Sequence, residues 1–218
     1  VGSEMCIRDR FVTVAEHTAQ TVNGVLSFSN IPIYEGTYVT NRYTVDTDNV
    51  DQKFYVNDEN GDTTTLIVDV FDNSSSTVST TFTQALDNTQ VKSNSNVYYL
   101  QESVDGKFEV YFGDGITGKA LSDGNIVRLR YVVTNKTKAN GASGFSTSAT
   151  ISTITDITTA TVSAASGGAE KESIQSIKFN APLDYAAQGR AVTVNDFKAI
   201  VPKVYANAKS VQVYGGED

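Results

Sequence analysis

A glycine-rich stretch in the middle of the chain has the spacing of two phosphate-binding motifs. Gly113, Gly115 and Gly118 match the Gly-x-Gly-x-x-Gly fingerprint, and Gly118-Lys119 stands at the distance from Gly113 that a phosphate-binding loop requires. Both motifs hold phosphate with loop amides and the first turn of a following helix. Residues 122–125 instead read as a turn that leads into a strand. The sequence therefore predicts a β-hairpin tip with glycines at positive φ, and no nucleotide site.

Catalytic and metal-binding chemistry has few candidates. The chain has one His and one Cys, His17 and Cys6, which excludes multi-His metal sites, disulfide frameworks and Cys-rich zinc sites. His17 has no nucleophile motif near it and is expected on the surface at a strand edge. Acidic loops lie at residues 46–51 and 58–62, but a calcium loop that starts at Asp58 would have a Thr where it needs Gly. We therefore expect solvated turns, no enzymatic activity, no metal and no cofactor.

The composition is that of a folded, acidic, β-rich protein. The 218 residues include 17 Lys and Arg against 25 Asp and Glu, a formal net charge of −8 that argues against a nucleic-acid surface. About 39% of the residues are hydrophobic, enough for one or two packed domains. No apolar run is long enough to span a bilayer. The absence of Trp, with 11 Tyr, 10 Phe and abundant Thr, Val, Ser and Asn, favours β-structure.

Short alternating runs between residues 11 and 165 predict antiparallel β-structure. Clusters of Asn, Asp, Gly or Ser bound each run, as is typical of strands and turns. A polar break at residues 72–76 divides the runs into a first β-rich region, 11–73, and a second, 74–165. The runs lie at residues 11–14, 24–28, 37–45, 53–56, 64–71, 97–100, 107–112 and 127–133.

The two ends of the chain differ from the rest. Residues 1–10, VGSEMCIRDR, follow neither the period of a strand nor that of a helix, and they lack the features of a signal peptide. They resemble a translated sequencing-adapter junction, so we expect them to be non-native. A strand signal at residues 210–214 runs directly into Gly-Gly-Glu-Asp. We expect the chain to be an internal fragment of a longer protein.

Residues 166–218 predict a small α+β unit. Residues 169–179 contain helix formers, with Glu170 and Glu172 in the expected first turn, and Pro182 is expected to end this helix. The fold class is thus mainly β, with antiparallel β subdomains followed by two helices and a closing strand at residues 210–214.

The second helix is expected to begin at Thr193, which with Asp196 approximates a capping box. Pro202 lies inside its apolar pattern, where a proline removes a backbone donor. We expect the helix to bend at this proline and to continue, because burial of one apolar stripe can offset the lost bond. That stripe consists of Phe197, Ile200, Val201, Val204 and Tyr205.

Several motifs in a fixed order resemble the baseplate-J-like family of contractile phage tails. A strand that ends in Phe-Gly-Asp-Gly comes first, a Gly-Gly-Ala-acidic stretch follows, and Ala-Pro then leads to Gln-x-Arg-Ala-Val-Thr and an acidic helix start. Residues 31–36, 41–43 and 98–102 narrow the resemblance to the wedge subunits of T-even-type phages. The family-motif residues are Phe112, Gly113, Asp114, Gly115, Gly118, Gly167, Gly168, Ala169, Glu170, Ala181, Pro182, Gln188, Arg190, Ala191, Val192, Thr193 and Asp196.

The resemblance implies a structural subunit of a tail baseplate wedge, found in the virion after synthesis in the cytoplasm of the bacterial host. It implies contacts with a second copy of the chain, as a homodimer, and with other wedge proteins in the inner baseplate ring. It implies no enzymatic activity, cofactor, nucleic acid or membrane. Pro202 departs from the family pattern, in which this helix continues. A β-rich carbohydrate-binding or adhesin module is the alternative, and an enzyme with a hidden carboxylate pair is a third possibility.

Overall fold

The computed structural model describes residues 9–147, 154, 156–205, 208 and 210–214. The chain divides into two compact units, Val1–Asn135 and Lys136–Asp218. Most of the segment expected to be non-native, 1–10, lies outside the described residues. At its end, the Arg10 carbonyl accepts a hydrogen bond from the amide of Gly36 at 2.8 Å.

The first unit is built from β-strands, as the alternating runs predict. Two of them form a hairpin around Asn23 and Gly24, whose φ values of 50° and 76° are those of a tight hairpin turn. The strands are β1 (Phe11–Val12), β2 (Thr21–Val22), β3 (Val25–Leu26), β4 (Tyr34–Glu35), β5 (Thr37–Thr44), β6 (Phe54–Val56), β7 (Gly61–Phe71), β8 (Ser79–Gln84), β9 (Val97–Glu102), β10 (Phe108–Phe112) and β11 (Ile126–Val133).

A seven-stranded sheet with the order β5-β11-β7-β8-β9-β10-β6 forms the body of this unit. Its neighbours pair antiparallel except β8 and β9, which pair in parallel over two residue pairs. The two edge strands approach each other, because the Tyr43 hydroxyl on β5 donates to the Tyr55 carbonyl on β6 at 2.6 Å. Burial raises the pKa of Tyr43. The mainly β class predicted from the sequence is confirmed.

The core lies on the inner face of this sheet, where every second residue of each strand meets its neighbours. Phe112 contacts Phe54 and Phe82 edge to face, with ring centroids 5.6 and 5.3 Å apart. The buried core residues are Val45, Phe54, Val56, Val68, Val70, Phe82, Tyr98, Val110, Val127, Leu129 and Tyr131.

Two expectations about the first unit need correction. The stretch from Gly113 to Lys119 is not the tip of a hairpin, because β10 pairs with β9 and β6 whereas β11 pairs with β5 and β7. It belongs to a connection between non-adjacent strands. The polar break at residues 72–76 is a turn between β7 and β8, which pair with each other. The regions 11–73 and 74–165 therefore contribute strands to one sheet.

The second unit contains helices α1 (Ile174–Ala187) and α2 (Val194–Val204). Helix α1 begins later than expected, after the N-cap Ser173, and Pro182 lies inside it rather than at its end. It ends at Gln188, whose left-handed φ of 46° stops the helix. The helix continues past Pro182 to Ala187, which is buried, and it contacts α2 in the same unit. Packing thus outweighs the donor that the proline removes.

Helix α2 begins with the predicted capping box between Thr193 and Asp196 and continues past Pro202 to Val204. The prediction of a buried stripe is wrong in this chain, since Phe197 is 40% and Val204 82% exposed. The predicted closing strand is also wrong: residues 210–214 have no strand assignment. A strand requires a backbone partner, and none of the described residues pairs with this segment.

Candidate functional site

The Asp114 carboxylate organises the loop that carries the phosphate-motif spacing. Its Oδ1 accepts hydrogen bonds from the amides of Ile116 and Thr117, both at 2.9 Å. These bonds, that of Thr117 first, lower the pKa of Asp114. Free loop amides are what a phosphate-binding loop offers its ligand. Here the protein's own carboxylate occupies them, and no helix follows.

The glycines of this loop allow close backbone packing. Gly115 and Gly118 have φ values of +86° and +97°. A Cβ on Gly118 would lie 2.9 Å from a Val97 methyl, and one on Gly113 would lie 2.4 Å from the Gly118 carbonyl carbon. The amide of Lys119 donates to the Ser95 carbonyl at 2.9 Å. The glycines of this motif therefore shape the loop that follows β10 and let it pack against residues 95–97.

The Gly-Gly-Ala-acidic motif closes a loop in the second unit. The Asn140 side chain donates to the Gly168 carbonyl at 2.7 Å and accepts from the Gly168 amide at 3.0 Å. Gly167 has a φ of +92°. A Cβ on Gly168 would lie only 2.1 Å from the Lys136 carbonyl oxygen. The Glu170 carboxylate pairs with the Lys136 ammonium at 3.2 Å. Ala169, which separates Gly168 from Glu170 in the sequence, is exposed.

The last motif forms the connection between α1 and α2. The Asp196 carboxylate accepts from the amides of Val192 and Thr193 at 3.1 and 2.8 Å. These bonds, that of Thr193 first, lower the pKa of Asp196. The Arg190 guanidinium donates to the Gln188 side chain at 3.0 Å. The remaining motif residues are the exposed Ala181, Pro182 and Ala191. The motif residues act here as caps and turns.

His17 lies outside any strand, in the segment between β1 and β2, rather than at a strand edge. It lines an open cleft of about 390 Å³ together with Glu16, Gln20 and Phe28. No nucleophile paired with a base stands there among the described residues. The carboxylates of Asp46 and Asp58 each accept a hydrogen bond from the backbone amide two residues later, which is typical of Asp in solvated turns. No group of three His, Cys, Asp or Glu able to hold a metal ion occurs in the described part of the chain.

Sequence reasoning missed a charged cluster on the outer face of the sheet. Asp69 on β7 is 1% exposed and pairs with Arg128 and Arg130 on β11, at 2.9 and 2.8 Å. The hydroxyl of Thr81 on β8 also donates to its carboxylate at 2.8 Å. Arg128 and Arg130 alternate with apolar residues along β11, as residues on the outer face of a sheet do, but nothing local identifies their partner.

A second buried carboxylate lies further along the same face. Glu109 on β10 is 2% exposed and accepts from the Lys53 ammonium at 2.8 Å and from the Gln101 side chain. Lys53 first, and then Gln101, lower the pKa of Glu109. The ion pair raises the pKa of Lys53. These contacts join β6, β9 and β10 on the outer face.

Glu35 secures the chain where β11 ends. Its carboxylate accepts from the Thr134 hydroxyl at 2.8 Å and from the Asn135 amide and side chain at 2.8 and 2.7 Å. Next to it, a Cβ on Gly36 would lie 2.2 Å from the Val133 carbonyl oxygen. Glu35 and Gly36, which belong to the motif at residues 31–36, therefore hold the chain at the end of β11.

Turns, caps and one ion pair thus involve many of the motif residues, whereas Phe112 packs in the core and Ala169, Ala181, Pro182 and Ala191 are exposed. No helix in the described residues has the length and apolar character needed to cross a membrane.

The seven-stranded sheet is similar to a domain of a known bacteriophage protein. Residues 39–142, which contain nearly all of the seven-stranded sheet, match the family model of the third domain of bacteriophage baseplate wedge protein gp6. The chain is also 29% identical over 145 residues to the baseplate wedge protein gp6 of Enterobacteria phage T4. That alignment covers 56% of this chain and 22% of the relative, so the chain corresponds to a minor part of it. Residues 39–142 are thus similar to one domain of a baseplate wedge protein.

Proposed function

We propose that this chain is a structural part of a bacteriophage tail baseplate wedge. It resides in the virion, in the tail baseplate, and contributes to the inner baseplate ring by protein–protein contacts. Its partners are a second copy of itself and other wedge proteins. It carries out no chemical reaction, and the motif residues serve the fold. The single observation that carries the proposal is the match of residues 39–142 to the third domain of gp6.

The surface of the second unit supports a role in assembly. Large apolar side chains on and around its helices are exposed, and large exposed apolar surfaces mark interaction sites in soluble proteins. In α1, Ile174 is 71% and Tyr185 84% exposed, and Val192 and Val204 are 77% and 82% exposed. An isolated helix pair gains nothing from such residues, whereas a subunit contact would bury them.

The test is co-expression of this chain with the wedge proteins encoded beside it on the same phage genome. A tagged chain should recover one or more of these proteins in a complex that survives size-exclusion chromatography. Light scattering of the chain alone should give the mass of a dimer. The double variant Ile174→Asp/Tyr185→Asp should lose contacts, whereas Asp156→Asn, an exposed change in the same unit, should not. A chain that stays monomeric and recovers no wedge protein would contradict the proposal.

The glycan-binding alternative has one feature in its favour, a stacked aromatic pair. The rings of Tyr99 and Tyr111 lie 5.2 Å apart at an angle of 18°. Their inner faces cover each other, and the Tyr99 hydroxyl already donates to the Thr117 carbonyl at 3.1 Å. The pair therefore resembles a packing contact more than a sugar platform. The same purified chain should give no signal on a glycan array, and a saturable signal lost in Tyr111→Ala would favour the alternative.

A further inference from the structure

We propose that the outer face of β5, β11 and β7 receives a carboxylate-rich segment of a partner protein. We call this surface the arginine face and define it by Arg42, Arg128, Arg130, Asp69 and Phe71. Nothing in the family match assigns a role to it. The inference rests on its own geometry and goes beyond the proposed assembly role.

The arginine face places two like charges directly opposite each other. Arg42 on β5 and Arg128 on β11 are cross-strand partners in the sheet register. Both guanidinium groups lie over the ring of Phe71, with centroid distances of 5.3 and 4.7 Å. Like charges at directly opposed positions destabilise a sheet. The ring faces attract both cations, but they do not neutralise them.

The positive charge on this face is only partly balanced. Asp69 accepts from Arg128 and Arg130, so one carboxylate is shared by two guanidinium groups. Arg42 is exposed and forms no ion pair with any described residue. This excess stands out in a chain whose formal net charge is −8. An uncompensated Arg beside an aromatic ring is the composition that protein interfaces favour.

The chemistry of the face favours a carboxylate. Asp69 already shows how this surface binds one: its Oδ2 accepts from Nε of Arg128 and of Arg130 at 3.3 and 3.1 Å. The planar fork of Arg42 can bind a second carboxylate in two-pronged fashion. Arginine also binds phosphate well. A nucleic acid, however, carries closely spaced negative charges that an acidic chain would repel. A protein segment presents only a few carboxylates, and it needs no contact with Phe71, which is 5% exposed and lies beneath the guanidinium groups.

The test uses the full chain and a short fluorescent peptide of alternating Glu and Thr, measured by anisotropy at low ionic strength. We expect saturable binding to the wild type and none for the same peptide with Gln in place of Glu. Arg42→Gln should weaken binding about tenfold, the effect of losing one charge-assisted contact. Arg42→Glu should abolish binding, and Arg42→Lys should fall between the wild type and Arg42→Gln. Lys92→Glu, which makes the same charge change at an exposed site off this face, should bind as the wild type does.

The Nε–Hε resonances of the arginines provide a second readout in the wild-type protein. Addition of the Glu peptide should shift the Arg42 resonance, while the Arg190 resonance stays unchanged. Equal binding by wild type and Arg42→Glu, or no shift at Arg42, would overturn the proposal. Tighter binding of a single-stranded oligonucleotide than of the Glu peptide, lost in Arg42→Glu, would overturn the assignment to a protein partner. Assembly with wedge proteins that persists in Arg42→Glu would leave the proposed function standing while removing this surface from it.

Discussion

The carboxylate of Asp69 on β7 lies 2.9 Å from the guanidinium of Arg128 on the neighbouring strand β11, and only 2% of the Asp69 side chain is exposed. We predict that Asp69→Ala destabilises the protein by about 2–3 kcal/mol, near the lower end of the range for breaking a buried pair because both arginines remain partly exposed. The loss would leave Arg128 and Arg130 side by side without their shared partner. Urea unfolding of Asp69→Ala should show a lower midpoint than that of the wild type. Asp72→Ala, at an exposed position, should unfold at the wild-type midpoint. An Asp69→Ala midpoint equal to that of the wild type would contradict this.

The Lys53–Glu109 pair predicts an acid-sensitive contribution to stability. Because the pKa of Glu109 is lowered in the folded protein, its contribution is present above the ordinary pKa of 4.5 and is lost as the pH falls through the lower folded pKa. The free energy of unfolding should therefore fall with pH between about 5 and 3, more steeply in the wild type than in Glu109→Gln. Glu59→Gln, at an exposed site, should keep the wild-type slope. Chemical denaturation at a series of pH values measures this, and parallel slopes for wild type and Glu109→Gln would contradict it.

Gly168 should tolerate no side chain. In Gly168→Ala the new Cβ would lie 2.1 Å from the Lys136 carbonyl oxygen, which is backbone and cannot rotate away. We expect a loss of about 1–3 kcal/mol in the second unit, as for other overpacked sites. Hydrogen exchange of the Gly168 amide, which donates to Asn140, should become faster. Gly144→Ala is the matched control, because a Cβ there meets nothing within 4 Å.

The loop at Asp114 should bind no nucleotide. Lys119→Ala should leave stability and assembly nearly unchanged, because Lys119 is exposed and contributes only its backbone amide to the loop. Asp114→Ala should lower the free energy of unfolding through the loss of the bonds to the Ile116 and Thr117 amides. Isothermal titration with ATP and with NAD should show no saturable binding to the wild type. Micromolar affinity that is lost in Lys119→Ala would show this interpretation to be wrong.

Much of the first unit could be predicted because each strand carries its own alternating pattern. The run at residues 107–112 became β10 and the run at 127–133 became β11, with bounds that agree within a residue. Strand β8 was missed, since its Ser, Thr and Gln residues are polar and only Phe82 enters the core. Its identity as a strand depends on pairing with β7, which no local pattern reveals.

In the candidate site, too, contacts between residues close in sequence could be predicted and contacts between distant residues could not. Motif residues with local partners could be interpreted from the sequence: the Thr193–Asp196 capping box forms as predicted because the two residues stand three apart and need only one turn of helix. The arginine face could not be predicted. Asp69 and Arg128 are 59 residues apart, and the order β5-β11-β7 alone brings Arg42, Arg128 and Asp69 together.

The sequence by itself determined the secondary-structure class, the turns and the helix caps, because these depend on interactions between residues a few positions apart. The tertiary structure decided which strands are neighbours, which charges are buried and where α1 ends. Pro182 illustrates the difference: a local cost of about 3 kcal/mol predicts a helix end, yet α1 contacts α2 and continues to the buried Ala187. Strand order and packing are set by the burial of surface between distant segments, and that energy depends on all the segments at once.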